Sequence, residues 1–125
     1  MNGKMTHREE YLKLIYTLSQ RGEVRGADIA DQLEIKRPTV CVYLKRLMEI
    51  GDIAMDEHRC VHLTAQGLAI AESTLDKHDM LASLLQDLGV PDKIAARDAC
   101  VIGHNLSPET YVALKQLLLE RQEIG

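Results

Sequence analysis

The residues best suited to chemistry form a basic stretch in the first half of the chain. Four cations lie there with no acid between them, at Lys36, Arg37, Lys45 and Arg46. Such side chains neutralise phosphates, and these contacts position a nucleic acid without reading its sequence. Residues 1–63 carry ten basic and ten acidic residues, so the second half supplies the whole net charge of -4. A local basic face therefore predicts a nucleic-acid partner in an acidic chain.

Smaller side chains lie between these cations, namely Pro38, Thr39, Cys41 and Val42. At the start of a DNA-recognition helix they would meet base edges: proline and valine suit thymine methyl groups, and threonine can donate or accept a hydrogen bond. The chain has no Phe or Trp, which argues against stacking on unpaired bases and favours duplex DNA.

Three further positions near this stretch leave alternatives open. Arg25 and Arg59 fit additional phosphate contacts, but Arg25 fits a solvated surface residue equally well. Cys41 lies one helical turn from both Arg37 and Lys45, a setting in which a thiol can act as a redox sensor. A small residue that faces the DNA groove is the simpler interpretation, and we prefer it.

Cys100 and His104 are a second reactive pair. Residues four apart on a helix share one face, so the pair could serve as nucleophile and base. No glycine-rich elbow, oxyanion device or third orienting group accompanies them in the sequence. We therefore predict that the protein is not an enzyme.

Hydrophobic periodicity predicts the elements that position these residues. Helices are expected at about residues 7–20, 24–34 and 38–51, the first with Thr6 as N-cap and the third with Pro38 in its first turn. The second and third form a helix-turn-helix, and a strand–turn–strand follows over residues 52–63 as a wing. Three more helices are expected at about 64–85, 92–104 and 108–121.

The predicted fold is thus mainly α-helical with a small β-hairpin wing. Residues 1–72 form a winged helix-turn-helix DNA-binding domain, and residues 73–125 form a helical domain for metal binding and dimerisation. The last helices are short and leucine-rich, which favours a second copy of the chain as their partner. The absence of a long apolar run and the three widely spaced cysteines predict a cytoplasmic protein without a membrane segment.

The ordered set of motifs resembles the iron-dependent repressor family, which includes the diphtheria toxin repressor and the manganese transport regulator. The resemblance rests on five segments in order along nearly the whole chain: Glu9–Tyr16, Asp28–Ala30 with Arg37–Val40, Leu63–Gly67, Lys77–Leu81, and Asp98–Cys100 with His104–Ser107. The chain is similar to the short form of the family, which lacks an SH3-like domain. The resemblance implies a homodimeric, metal-responsive transcriptional regulator, expected to repress metal-homeostasis genes from a palindromic operator.

The resemblance also implies a set of metal ligands, which are Glu10, His78, Cys100 and His104. Two positions depart from the family pattern, because Lys13 stands where manganese-type members have a carboxylate and Gly103 stands where members have a glutamate. One sulfur, two imidazoles and one carboxylate suit zinc, ferrous iron or cobalt better than manganese, which prefers oxygen ligands. We expect one divalent transition metal ion per subunit.

The alternative is a regulator of the same fold that has lost metal dependence and responds to thiol redox chemistry or to a partner protein.

Overall fold

The computed structural model describes the backbone of residues 3–124 and the side chains of residues 7–121. Six helices and two strands follow one another along the chain: α1 (Gly3–Ser19), α2 (Gly26–Leu33), α3 (Arg37–Ile50), β1 (Ile53–Met55), β2 (Val61–Leu63), α4 (Ala65–Asp87), α5 (Asp92–Asn105) and α6 (Pro108–Ile124). The mainly helical fold with one hairpin confirms the predicted class. The chain divides into two compact units, with the boundary between Ser73 and Thr74.

Helix α1 begins at Gly3, before the predicted start at residue 7. The prediction that Thr6 caps this helix is therefore wrong, because Thr6 lies inside it. A threonine followed three residues later by glutamate can begin a helix, but the pattern does not prevent earlier residues from extending it.

Local signals set the bounds of the helix-turn-helix. Asp28 accepts a hydrogen bond from the Arg25 amide (2.9 Å) at the start of α2, and Glu34 ends that helix in the left-handed conformation at φ 57°. Pro38 lies in the first turn of α3, where its missing amide hydrogen costs nothing. Gly51 ends α3 at φ 96°, a backbone angle that glycine tolerates better than other residues.

The wing is a short antiparallel hairpin in which Ile53 pairs with Leu63 and Met55 pairs with Val61. The Val61 amide also donates to the Val24 carbonyl (2.7 Å), which fastens the hairpin to the segment before α2. The wing thus follows the predicted recognition helix directly in the chain and is fixed to the same unit.

The first unit has a continuous aliphatic core to which every helix of the unit and both strands contribute. Its most buried side chains are Leu12, Ile15, Val24, Ile29, Val40, Leu44, Leu47, Ile53 and Val61. Tyr11 of α1 stacks on Tyr43 of α3, with ring centroids 4.4 Å apart. This packing leaves the opposite face of α3 free for solvent.

The second unit has a smaller core, built from Met80 and Leu81 of α4 and Ala99 of α5. Leu114 and Leu118 of α6 pack on this core. Asp76 of α4 accepts hydrogen bonds from Tyr111 and from Lys115 of α6. These contacts hold α4 and α6 together within the unit.

Candidate nucleic-acid interface and metal ligands

Helix α3 turns its predicted DNA-binding residues towards solvent. Its buried side, Val40, Leu44 and Leu47, packs into the core, and the side chains between them are exposed. The exposed set contains Lys36 just before the helix and Arg37, Pro38, Thr39, Cys41, Val42, Lys45 and Arg46 within it. Val42 is 59% exposed, so its methyl groups are open to an apolar contact.

A groove of about 480 Å³ runs between α2, α3 and the wing. Its polar rim consists of four cations contributed by three elements, namely Arg25, Arg37, Lys45 and Arg59. Its floor is apolar, with Leu44, Met48 and Met55, and Cys41 lies at its edge. The Arg25 guanidinium donates to the His58 carbonyl of the wing turn (3.4 Å). The structure therefore brings together cations that lie 34 residues apart in the sequence.

A second groove of about 610 Å³ lies on the other side of the exposed face of α3. Thr39, Val42 and Arg46 line it, together with His7 and Glu10 of α1. The two residues predicted to read bases, Thr39 and Val42, thus line this second groove and not the cation-rimmed one, which lies along the neighbouring row of the same exposed face.

A buried carboxylate, which the sequence did not single out, organises the corner between α3 and the wing. Asp52 is fully buried, and its carboxylate accepts two hydrogen bonds from the Arg8 guanidinium, from Nε to Oδ2 (2.6 Å) and from Nη2 to Oδ1 (2.9 Å). Gln66 of α4 donates a third (2.7 Å). Burial acts to raise the pKa of Asp52, but the hydrogen bonds from Arg8 and Gln66 outweigh it and hold that pKa below its usual range.

The turn of the wing depends on a second carboxylate, Asp56. One oxygen accepts hydrogen bonds from the amides of His58 (2.8 Å) and Cys60 (2.9 Å), and the other lies 2.8 Å from the His62 imidazole. The hydrogen bonds from His62 and from the two amides lower the pKa of Asp56 to about 2. Arg59, at the tip, adopts the left-handed conformation at φ 64°.

Glu10, the predicted metal ligand of the first helix, lies on α1 and is partly buried. Its carboxylate is 3.5 Å from the ammonium nitrogen of Lys13, one helical turn further on. The Lys13 side chain is only 18% exposed. A fixed positive charge therefore lies beside the carboxylate at the position where the family pattern has an acid.

Cys100 and His104 meet within the second unit, on α5. The Cys100 sulfur lies 3.4 Å from Nε2 of His104, and the contact is partly buried. A thiolate and an imidazole at this separation have the spacing of two ligands on one zinc-type ion. Their helical spacing of four residues, which also gave the enzyme hypothesis, is thus realised in the structure.

His78 lies on α4 and faces α5 at Ala96, one helical turn before Cys100. Its Nε2 is 3.0 Å from the Ala96 carbonyl, so this nitrogen carries the proton and donates. Its Nδ1 is buried and has no hydrogen-bond partner among the described residues. The nearest oxygen of Asp79 is 3.6 Å away, beyond hydrogen-bonding distance. A histidine oriented by a carbonyl, with its other nitrogen free, has the arrangement of a metal ligand.

Gly103 packs against α4. A Cβ placed there would lie 3.7 Å from Leu81 and 3.8 Å from Lys77, at ordinary contact distance. The position has room for a small side chain, and glycine supplies no ligand beyond its carbonyl. The donors on α4 and α5 are therefore nitrogen and sulfur, and this set fits zinc, cobalt or ferrous iron better than manganese.

The fold and the exposed basic face define a winged helix-turn-helix protein of the DNA-binding type. Among the described residues, every helix is too short or too polar to span a membrane. Two family models match the chain in sequence: the iron dependent repressor N-terminal DNA-binding domain over residues 4–60, and the iron dependent repressor metal-binding and dimerisation domain over residues 64–123.

Individual relatives agree with the family models. The transcriptional regulator MntR of Escherichia coli O6:H1 is 39% identical over 108 residues, which cover 86% of this chain and 70% of that protein. The structure of the manganese regulator SloR aligns with a TM-score of 0.78 at 27% identity and covers 89% of this chain. A structure of ScaR with bound zinc aligns with a TM-score of 0.77, also at 27% identity and 89% coverage. The chain spans 53% of the length of each of these two solved chains.

The chain belongs to the iron-dependent repressor family of metal-dependent transcriptional regulators. The family resemblance seen in the sequence is thereby confirmed. Since the relatives are transcriptional regulators, the hypothesis of an enzyme with a Cys100 nucleophile is rejected.

Proposed function

We propose that this protein is a metal-responsive repressor that binds a palindromic operator in duplex DNA as a homodimer. The observation that carries the proposal is the exposed face of α3, flanked by the groove whose rim holds Arg25, Arg37, Lys45 and Arg59. A recognition helix with cations on both sides of its groove contacts phosphates while its exposed Thr39 and Val42 reach base edges. Control of metal-homeostasis genes from the cytoplasm is part of the proposal.

Exposed aliphatic side chains in the second unit support the homodimer. They lie in the turn after α4 and along α5 and α6, at Leu88, Ile94, Val101, Ile102, Val112, Leu117 and Leu119. We propose that these side chains form an interaction surface. A second copy of the same chain satisfies it with a symmetric interface, and two reading heads then match two operator half-sites.

Within each subunit we propose one divalent metal ion, held by Cys100 and His104 of α5 with Glu10 of α1 as the third ligand. Zinc, ferrous iron and cobalt suit these donors better than manganese. His78 is the fourth proposed ligand, because its buried Nδ1 has no hydrogen-bond partner within the part of the chain that the structure describes. A bound ion would supply two positive charges. To bind it, the Cys100 thiol would release its proton to solvent, and the Ala96 carbonyl would keep the His78 ring oriented.

Lys13 places a positive charge at a position where the resemblance to the family implies a carboxylate. Its ammonium group lies 3.5 Å from Glu10, and it replaces a carboxylate that would otherwise be available to a second ion. We therefore propose a single exchangeable metal site per subunit, with the lysine providing part of the electrostatic effect of a second ion.

Cobalt binding tests the metal site directly. Titration of the metal-free protein with Co²⁺ should give one equivalent per chain, a thiolate charge-transfer band in the near ultraviolet, and tighter binding at higher pH because the thiol must lose its proton. Cys100→Ser should remove the band, and the matched control Cys41→Ser should keep it. Two tight equivalents per chain would contradict the single-site proposal.

DNA selection tests the regulatory function. Genomic fragments retained by the zinc-loaded protein should include a palindrome, and the duplex so identified should bind more weakly after chelation. A duplex that binds equally tightly in chelator would contradict metal control. It would favour the second candidate, a regulator of the same fold that responds to thiol oxidation or to a partner protein, for which exposed Cys41 beside the cation-rimmed groove is the specific observation.

A further inference from the structure

Asp52 occupies the junction of three elements of the first unit. It follows the C-terminal glycine of α3 and precedes β1. Its amide donates to the Leu47 carbonyl of α3 (2.9 Å), and its own carbonyl accepts from the Thr64 amide at the start of α4 (3.0 Å). A Cβ on Gly67 would overlap that same carbonyl oxygen. The recognition helix, the wing and the start of α4 therefore meet at one residue whose backbone has no room to shift.

Helix α1 is joined to this junction by Arg8. The guanidinium makes two parallel hydrogen bonds to the Asp52 carboxylate, at 2.6 and 2.9 Å. The apolar contacts of Leu12 and Ile15 also hold α1 in the unit, but apolar contacts are not directional. A bidentate ion pair is directional. A shift of α1 by about 1 Å would carry these bonds past the usual hydrogen-bonding range.

We infer that the Arg8–Asp52 ion pair is the positioning contact that transmits a displacement of α1 to the recognition helix and the wing. The inference rests on the proposed function, in which α1 carries the metal ligand Glu10 and α3 reads DNA. Arg8 and Asp52 themselves contact neither ligand in this account. They act by making the orientation of the reading head depend on the position of α1.

A purely structural role for the pair predicts a different result. Loss of a contact that only stabilises the first unit should weaken DNA binding by the same factor with and without metal. Loss of a transmitting contact should instead reduce the coupling, which is the ratio of the DNA affinities with and without metal. This ratio distinguishes the two roles because overall stability cancels from it.

Asp52→Asn is the most informative variant. The amide removes the buried negative charge and can still accept from Gln66 and from one nitrogen of the partly buried Arg8 guanidinium, but it cannot hold that guanidinium in a charge-assisted fork. In the wild type we expect zinc to strengthen binding of the selected duplex by about 5–150-fold, the usual range of coupling between two sites. In Asp52→Asn this factor should fall towards unity, while cobalt binds with unchanged affinity. Asp31→Asn makes the same charge change at an exposed position of α2 and should keep the wild-type factor.

Arg8→Lys provides a second measurement, and it decides the question if Asp52→Asn does not fold. An ammonium keeps the charge but cannot make the bidentate contact, so its zinc factor should lie between those of the wild type and Asp52→Asn. A wild-type factor in a folded Asp52→Asn or in Arg8→Lys, together with weaker DNA binding in both metal states, would overturn the inference. Failure of the proposed function would show separately, as a wild-type DNA affinity that zinc does not change.

Discussion

The two units of the chain differ in the size of their hydrophobic cores and in the apolar side chains that they leave exposed. The first unit buries at least nine large side chains, from all of its helices and both strands, in one continuous core. The second unit centres on Met80, Leu81 and Ala99 and leaves leucine, isoleucine and valine side chains exposed just after α4 and along α5 and α6. The unit with the basic face thus has the larger core within one chain, whereas the unit with the proposed metal ligands has a smaller core and more exposed large apolar side chains.

This difference indicates a division of labour. A reading head that must meet DNA in a defined orientation benefits from a rigid core of its own, because its contacts are useful only if several are made together. A unit that joins two copies must keep apolar side chains outside its own core until the partner covers them. The second unit should therefore depend on association much more than the first.

The largest expected effect comes from placing a charge on the exposed apolar surface of α6. Val112 is 62% exposed in the single chain, and Val112→Glu would bury an unpaired carboxylate at the proposed interface. Such a charge costs several kcal/mol, so the dimer dissociation constant should rise about 100-fold or more. Sedimentation of Val112→Glu should show monomers at micromolar concentration, with operator affinity lost as well.

Gln86→Glu is the matched control for this substitution. It adds the same charge at an exposed polar position of α4, and this variant should remain dimeric. A monomeric Gln86→Glu would mean that net charge governs association, and a fully dimeric Val112→Glu would place the interface elsewhere.

Effects of intermediate size are expected when one buried glycine in each unit is replaced by alanine. The two changes in the free energy of unfolding compare how rigidly the two units are packed. Gly67→Ala places a methyl group on the Asp52 carbonyl oxygen in the first unit, and the free energy of unfolding should fall by about 3 kcal/mol or more, since a rigid core cannot make room. Gly103→Ala meets only the Leu81 and Lys77 side chains, at 3.7 and 3.8 Å. Its helix should be unchanged or more stable by up to about 1 kcal/mol. Denaturant unfolding of the metal-free proteins measures both, and similar losses in the two variants would contradict the contrast.

The smallest expected effects concern single phosphate contacts on the first unit. Arg37→Ala and Lys45→Ala should each weaken binding to all duplexes and reduce the salt dependence by about one unit of slope. Thr39→Ala should instead change the preferred base at one position, at a cost of about 1–3 kcal/mol for the original base. Binding isotherms over a range of salt concentrations separate the two roles. Lys93→Ala, an exposed cation of the second unit, should leave the slope unchanged.

Patterns within one segment predicted most of the fold. The break at Glu34, the proline in the first turn of α3 and the glycine at its end are local signals, and the structure uses all three. The start of α1 was predicted too late because its Thr6–Glu9 pattern allows a cap without requiring one. The hairpin needed only a turn between two short apolar runs, and it formed where expected.

Contacts between distant residues were not predictable in the same way. Arg8 and Asp52 are 44 residues apart, and in the sequence each is an ordinary charged residue of a mixed surface. The requirement for glycine at residue 67 arises from the Asp52 carbonyl, which only the fold brings near. Cys100 and His104 were foreseeable as a pair because one helix carries both, whereas the contact of His78 with the Ala96 carbonyl depends on how α4 packs against α5.

The Asp56 turn has a consequence for the entropy of DNA binding. Its carboxylate already holds the amides of His58 and Cys60, and these bonds together with that from His62 lower the pKa of Asp56 to about 2, so the carboxylate is ionised at neutral pH. Arg59 is therefore presented at the tip in one backbone conformation before DNA arrives. A loop that had to order on contact would lose about 1–2 kcal/mol of conformational entropy per residue fixed. The preformed wing avoids that loss. A larger part of the attraction between Arg59 and the DNA phosphates therefore remains in the free energy of binding.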